Sequence, residues 1–160
     1  MTESWVVNAS PLIFLSRIGR LDLLEKLAAS VLVPDAVIRE VSAGGAKDSA
    51  AKSAVEWAAA WRVADRPVPT SVASWDLGEG ETQVVAHCLA DQRVAVLDDL
   101  TARRAASAHG MDLIGTLGVV LRAKRHGLIS ELRPLIEHLR VLGLYADEQL
   151  IQRILTAADE

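Results

Sequence analysis

Asp98 and Asp99 stand side by side, directly after the apolar run Val94-Ala95-Val96-Leu97 and directly before a helical stretch. An apolar β run that ends in carboxylates sets them at the carboxyl edge of a sheet, where open α/β folds hold ligands. Adjacent anions repel, so the pair favours a bound cation, a basic partner or full solvation. Taken alone it reads equally well as a helix N-terminus, where Asp caps and complements the dipole. Other oxygen-bearing side chains fall at comparable places. Asn8 and Ser10 follow the first apolar run, Glu40 lies on the helix after the second, and Glu79 and Glu81 open a later helix. Oxygen donors from separate segments converging on one edge would form a carboxylate cup for a hard divalent cation such as Mg²⁺ or Mn²⁺. Such a cation lowers the pKa of a bound water and shields the charge of a phosphodiester. Zinc is disfavoured, because no histidine pair sits at ligand spacing. His87, His109, His126 and His138 read as surface or capping residues, and Cys88 as a small buried hydrophobe.

The elements that must position these groups follow from short apolar runs and their punctuation. Trp5 to Val7 is β-prone, Asn8 ends it, and Ser10-Pro11 opens a helix through Leu12, Leu15 and Ile18. A helix over Asp22 to Ala29 precedes a strand at Val31 to Val33. Pro34-Asp35 then opens a helix that Gly44-Gly45 ends. Ala50 to Trp61 reads as a helix with Trp57 and Trp61 on one face, and Arg62 to Ala64 as a third strand. Pro67 to Trp75 is a loop. Glu79 to Ala90 is a helix with Val84, Val85, Cys88 and Leu89 inward, followed by the strand Val94 to Leu97 and a helix over Thr101 to His109. Leu113-Ile114 is a last short strand. Helices follow over about Leu117 to Arg125, through Leu132, Leu135, Ile136 and Leu139, and through Leu150, Ile151, Ile154 and Leu155. Strands alternating with helices imply βα units and a parallel sheet covered on both faces, with Trp5 to Val7 near its centre.

Composition bounds the class. A chain of 160 residues, 51% apolar, forms one domain with a real core, residues 1–160, on which helices over about 131–158 pack. A net charge of −4 gives no global basic character, so a nucleic-acid partner must be met locally. Arg103 and Arg104 form one local cluster; Arg122, Lys124, Arg125 and His126 form another, read as ordinary helix solvation. One cysteine excludes an internal disulfide and fits a cytoplasmic location. No apolar run approaches the roughly 20 residues of a membrane span. The glycines form neither dinucleotide nor triphosphate loops; Gly78-Glu79-Gly80-Glu81 is acidic, which suits a metal. Four tryptophans suggest a homodimer or a small partner covering the surface around Trp57 and Trp61.

Val7-Asn8-Ala9-Ser10-Pro11-Leu12-Ile13 resembles the opening motif of PIN-domain proteins. Leu77-Gly78-Glu79-Gly80-Glu81, then Leu97-Asp98-Asp99 with Ala102-Arg103, then Ile114-Gly115-Thr116-Leu117-Gly118 resemble the later motifs in the same order. The resemblance implies a three-layer α/β/α fold and metal-dependent ribonuclease activity on RNA. Many members of the family are VapC-type toxins inhibited by a small antitoxin. Carried over, the acidic positions fall on Asn8, Glu40, Glu81 and Asp99, with Asp98 adjacent. Asn8, Glu81, Asp98 and Asp99 are then the metal ligands, and Ser10 and Arg103 bind substrate. Asn8 departs from the family's aspartate: its carbonyl can ligate, but one charge is lost. The alternative is a catalytically weakened PIN-like module that binds RNA or a protein partner.

Overall fold

The computed structural model describes residues 3–44 and 47–160. The first strand, β1 (Ser4–Val7), lies in the middle of the sheet. Trp5, Val6 and Val7 are all buried. Three consecutive buried side chains on a strand point to alternate faces, so both faces must be covered. β2 (Ser30–Pro34) and β4 (Val94–Val96) flank β1, and β3 (Arg62–Val63) and β5 (Leu113–Ile114) form the two edges. The order is β3-β2-β1-β4-β5 and every pairing is parallel. Trp5 pairs with Val31 and Val94, and Val7 with Val96, which brings the carboxyl ends of β1 and β4 level. Helices flank this sheet in a three-layer α/β/α arrangement.

Nine α-helices longer than one turn connect or follow the strands among the described residues. They are α1 (Ala9–Arg17), α2 (Asp22–Leu27), α3 (Asp35–Ala43), α4 (Ser49–Ala58), α6 (Glu79–Asp91), α7 (Leu100–Ala108), α8 (Thr116–Arg125), α9 (Arg133–Val141) and α10 (Glu148–Ala157). Leu132, Ile136 and Leu139 around α9, and Ile151, Ile154 and Leu155 of α10, join the same buried apolar cluster as the sheet residues. No helix among the described residues is long and apolar enough to cross a membrane.

Several local expectations need correction. The helix expected over Ala50 to Trp61 ends at Ala58, and a 3₁₀ turn over Ala59–Trp61 delivers the chain into β3. Within the expected loop, Pro69 starts a one-turn helix, α5 (Thr70–Ala73), which buries Val72. Gly45, half of the expected helix stop, lies outside the described residues. On α6 the inward side is wide. Gly80, Gln83, Val84, Val85, Ala86, His87 and Cys88 are buried, while Leu89 is exposed. His87 is therefore a core residue and not a surface one. Trp57 and Trp61 pack against their own core with ring centroids 5.9 Å apart. The large apolar side chains most open to solvent are elsewhere, at Leu100, Val141 and Tyr145.

Candidate functional site

Asn8 is the first residue past β1 and occupies the N-cap position of α1. Asparagine is a strong capping residue, yet its side chain makes no capping bond here. Its backbone N–H donates to the Val96 carbonyl at 3.1 Å, tying it to the end of β4. The side chain is buried, and its Oδ1 has no hydrogen-bond partner. A buried acceptor left unpartnered costs about 1–3 kcal/mol unless something outside the chain satisfies it.

Gly80 shows what that oxygen faces. A methyl group at Gly80 would lie 3.3 Å from Asn8 Oδ1, 3.3 Å from Glu40 Oε2 and 3.4 Å from Val37 Cγ2. Gly80 thus leaves a small space into which the ends of β1, α3 and α6 converge. Glu81, half-buried in the first turn of α6, adds a third group. Burial raises its carboxyl pKa, and the charges of Asp99 and Glu40 raise it further. Glu40, Glu81 and Asp99 therefore share one field at the carboxyl edge of the sheet. Glu79 does not join them: it is exposed and stands 3.9 Å from Arg39.

Asp99 caps α7, its Oδ2 accepting the Ala102 N–H at 3.0 Å. Asp98 is at the same edge and accepts three hydrogen bonds. Its Oδ1 accepts from the Thr116 backbone at 2.7 Å, and its Oδ2 accepts from Thr116 Oγ1 at 2.7 Å and from Ser10 Oγ at 3.1 Å. Asp98 so brackets the exits of β1, β4 and β5. These bonds are the setting of the Asp98 and Ser10 positions named from sequence, Ser10 donating its hydroxyl proton to Asp98. Thr116, fully buried, is the partner the sequence reading missed; the only signal was its place in the Gly115-Thr116 step. Arg103, half-buried, donates through Nη1 to the Leu97 carbonyl at 2.9 Å. A side chain at Gly115 would come within 3.0 Å of both Arg103 Nη1 and Asp98 Oδ1, so glycine there permits the close packing.

A clip at the other side holds α3 and α6 together. α3 has proline at its own N-cap and no side-chain capping bond from it. Asp65, just beyond β3, supplies the missing acceptor to the Ala36 N–H at 2.9 Å and also pairs with Arg39 at 2.9 Å. The next residue, Arg66, exchanges two 2.9 Å hydrogen bonds between its backbone and the Gln83 amide on α6. Glu40 rides on α3, and Gly80 and Glu81 ride on α6.

Among the described residues no three His, Cys, Asp or Glu side chains stand grouped to hold a metal. The donor set is one buried amide oxygen facing Glu40, with Glu81 and Asp99 in the same field. All are hard oxygen donors, the type that Mg²⁺ and Mn²⁺ take. The unpartnered Asn8 Oδ1 and the space at Gly80 fit such an ion.

A parallel α/β sheet with an acidic carboxyl edge defines the class. Within it, a family model described as a PIN domain matches residues 4–160, and the chain belongs to the PIN-domain family. Among solved structures, one similar chain comes from the VapBC2 complex of Rickettsia felis bound to a DNA fragment from their promoter. It is 11% identical, with a TM-score of 0.48, and the match covers 70% of this chain and 98% of that one. No curated protein matches.

Proposed function

We propose that the chain is a metal-dependent endoribonuclease, the toxin member of a toxin–antitoxin pair acting in the cytoplasm. Asn8, Glu81 and Asp99 would hold Mg²⁺ or Mn²⁺, with Glu40 facing the same space. The observation that carries this reading is the buried, unpartnered Asn8 Oδ1, which meets Glu40 at the space beside Gly80, next to a Glu81 carboxyl that feels the Asp99 and Glu40 charges. When bound, a divalent cation supplies an activated water and offsets phosphodiester charge. The chain's own residues do the rest. Asp98 fixes the strand exits, Asp99 stays at the head of α7 through its capping bond, and Arg103 would meet a phosphate with the donors it does not spend on the Leu97 carbonyl. The toxin assignment rests on the family resemblance. It predicts that growth arrest on expression is relieved by a small protein encoded alongside.

A second reading has its own observation. Asn8 replaces a carboxylate by an amide, leaving the site one negative charge short. On that reading the chain is a weakened module that binds RNA or a protein without cutting.

One assay separates them: RNA cleavage with Mn²⁺ and with EDTA for wild type, Asp99→Asn and Asn8→Asp. Asparagine still caps a helix, so Asp99→Asn removes charge while keeping the α7 start. Cleavage should vanish in EDTA and in Asp99→Asn. Asn8→Asp should tighten Mn²⁺ binding and raise the rate, because it restores an anion near the cation. Cleavage surviving Asp99→Asn unchanged would sink the metal reading. If wild type and Asn8→Asp are both inert, the binding-module reading takes over.

A further inference from the structure

Tyr145 is the chain's single tyrosine, and it is 91% exposed. Its neighbours Leu144 and Ala146 are both buried. The backbone is thus anchored on either side, and the ring is held out between α9 and α10 at a defined place. That place is the mouth of a groove of about 390 Å³, within the size range of small-ligand sites. Leu117 of α8 and Leu150 and Ile154 of α10 give it apolar walls. Asp98 and Arg103 also line it, so it adjoins the acidic edge. Gly115 lets Arg103 and Asp98 pack close against one wall.

Charge distinguishes the occupants such a groove could take. Neither Arg103 nor Arg104 enters an ion pair among the described residues. Arg103 spends Nη1 on the Leu97 carbonyl and packs beside Asp98 at Gly115, and Arg104 is exposed outside the groove lining; the guanidinium charge on α7, one turn beyond Asp99, suits an anion. An exposed aromatic ring beside apolar walls calls for a flat, weakly polar group. A single-stranded nucleotide carries both at the spacing of one phosphate and one base, and bases stack on aromatic side chains without regard to sequence. An apolar peptide would use the leucine walls but leave the arginines without a part.

We propose that the groove receives one nucleobase of single-stranded RNA, stacked on Tyr145, with the adjoining phosphate met by Arg103. The proposal rests on the ribonuclease reading and adds the subsite that fixes which side of the scissile bond the strand is gripped. It makes Tyr145 a substrate-binding residue remote in sequence from every motif of the acidic edge.

The test uses a short phosphorothioate oligoribonucleotide that resists hydrolysis. Selective ¹³C labelling of tyrosine gives one set of ring signals, because there is one tyrosine. Those signals should move on titration, as they do when a base stacks over the ring. Tyr145→Ala should weaken binding about tenfold, in line with the usual worth of one stacked base. Tyr145→Trp should retain it. The thermal midpoint should stay put in both, since the ring is in solvent. The proposal is overturned if Tyr145→Ala binds as tightly as wild type, or if the ring signals are unmoved at saturation. Ring signals moved by a small apolar partner protein and not by RNA would also overturn it, and would assign the groove to that partner. If wild type binds and cuts RNA while Tyr145→Ala does both equally, only this subsite fails. If wild type binds no RNA, the ribonuclease reading fails with it.

Discussion

At the scale of single residues, the acidic edge depends on what is missing as much as on what is present. Gly80 is buried within α6, where alanine would ordinarily stabilise the helix by about 1 kcal/mol. Here a methyl group would press on Asn8 Oδ1 and Glu40 Oε2 at 3.3 Å. Gly80→Ala should therefore leave the thermal midpoint unchanged or slightly raised, yet weaken Mn²⁺ binding measured by calorimetry. A variant that binds Mn²⁺ like wild type would show that the space at Gly80 has no part in the site. Cys88 illustrates the opposite case, a reactive type made inert. Burial pushes its thiol up to about 12, so it stays protonated and acts as core.

At the scale of elements, the Asp98 bracket carries the arrangement. Its three hydrogen bonds join α1, the β4 exit and α8. Asp98→Ala removes both acceptor oxygens and all three bonds, and should cost roughly 2–4 kcal/mol in urea unfolding, at about 1 kcal/mol per bond. Asp98→Asn should cost less, and a wild-type midpoint for Asp98→Ala would remove the bracket from the account. The central strands were legible because they are short apolar runs buried on both faces, as Trp5-Val6-Val7 and Val94-Ala95-Val96 are. The acidic edge was legible because parallel strands export their carboxyl ends to one side. The bracket was not, since it depends on β5 lying beside β4, which brings Thr116 to Asp98 across 18 positions. Nor was the inward side of α6. A helix covered over most of its circumference has no narrow apolar stripe, and a stripe rule places Leu89 inside and His87 outside. Asp65 escaped notice for a similar reason: it caps a helix that began thirty residues earlier.

At the scale of the whole molecule, stability carries a pH signature from His87. Burial holds its imidazole below the ordinary value of 6.5, and the nearby Arg66 charge acts in the same direction. The unfolded chain takes up a proton below about pH 6.5 while the folded chain resists it. This contribution is therefore fully present above that pH and drains away as the pH falls toward the folded value. Urea midpoints followed from about pH 8 down to 5 should decline, and His87→Gln should flatten that decline. An identical profile in the variant would exclude His87 as the source. The central position of β1 has a consequence for the order in which the molecule comes into being. β2 is synthesised soon after β1, but β4, its other neighbour, emerges some ninety residues later. At ordinary rates of translation the nascent chain spends several seconds with its middle strand half-clothed. Throughout that interval the acidic edge lacks Asp99. Whatever chemistry the acidic edge performs is thus silent until more than half of the protein has been made.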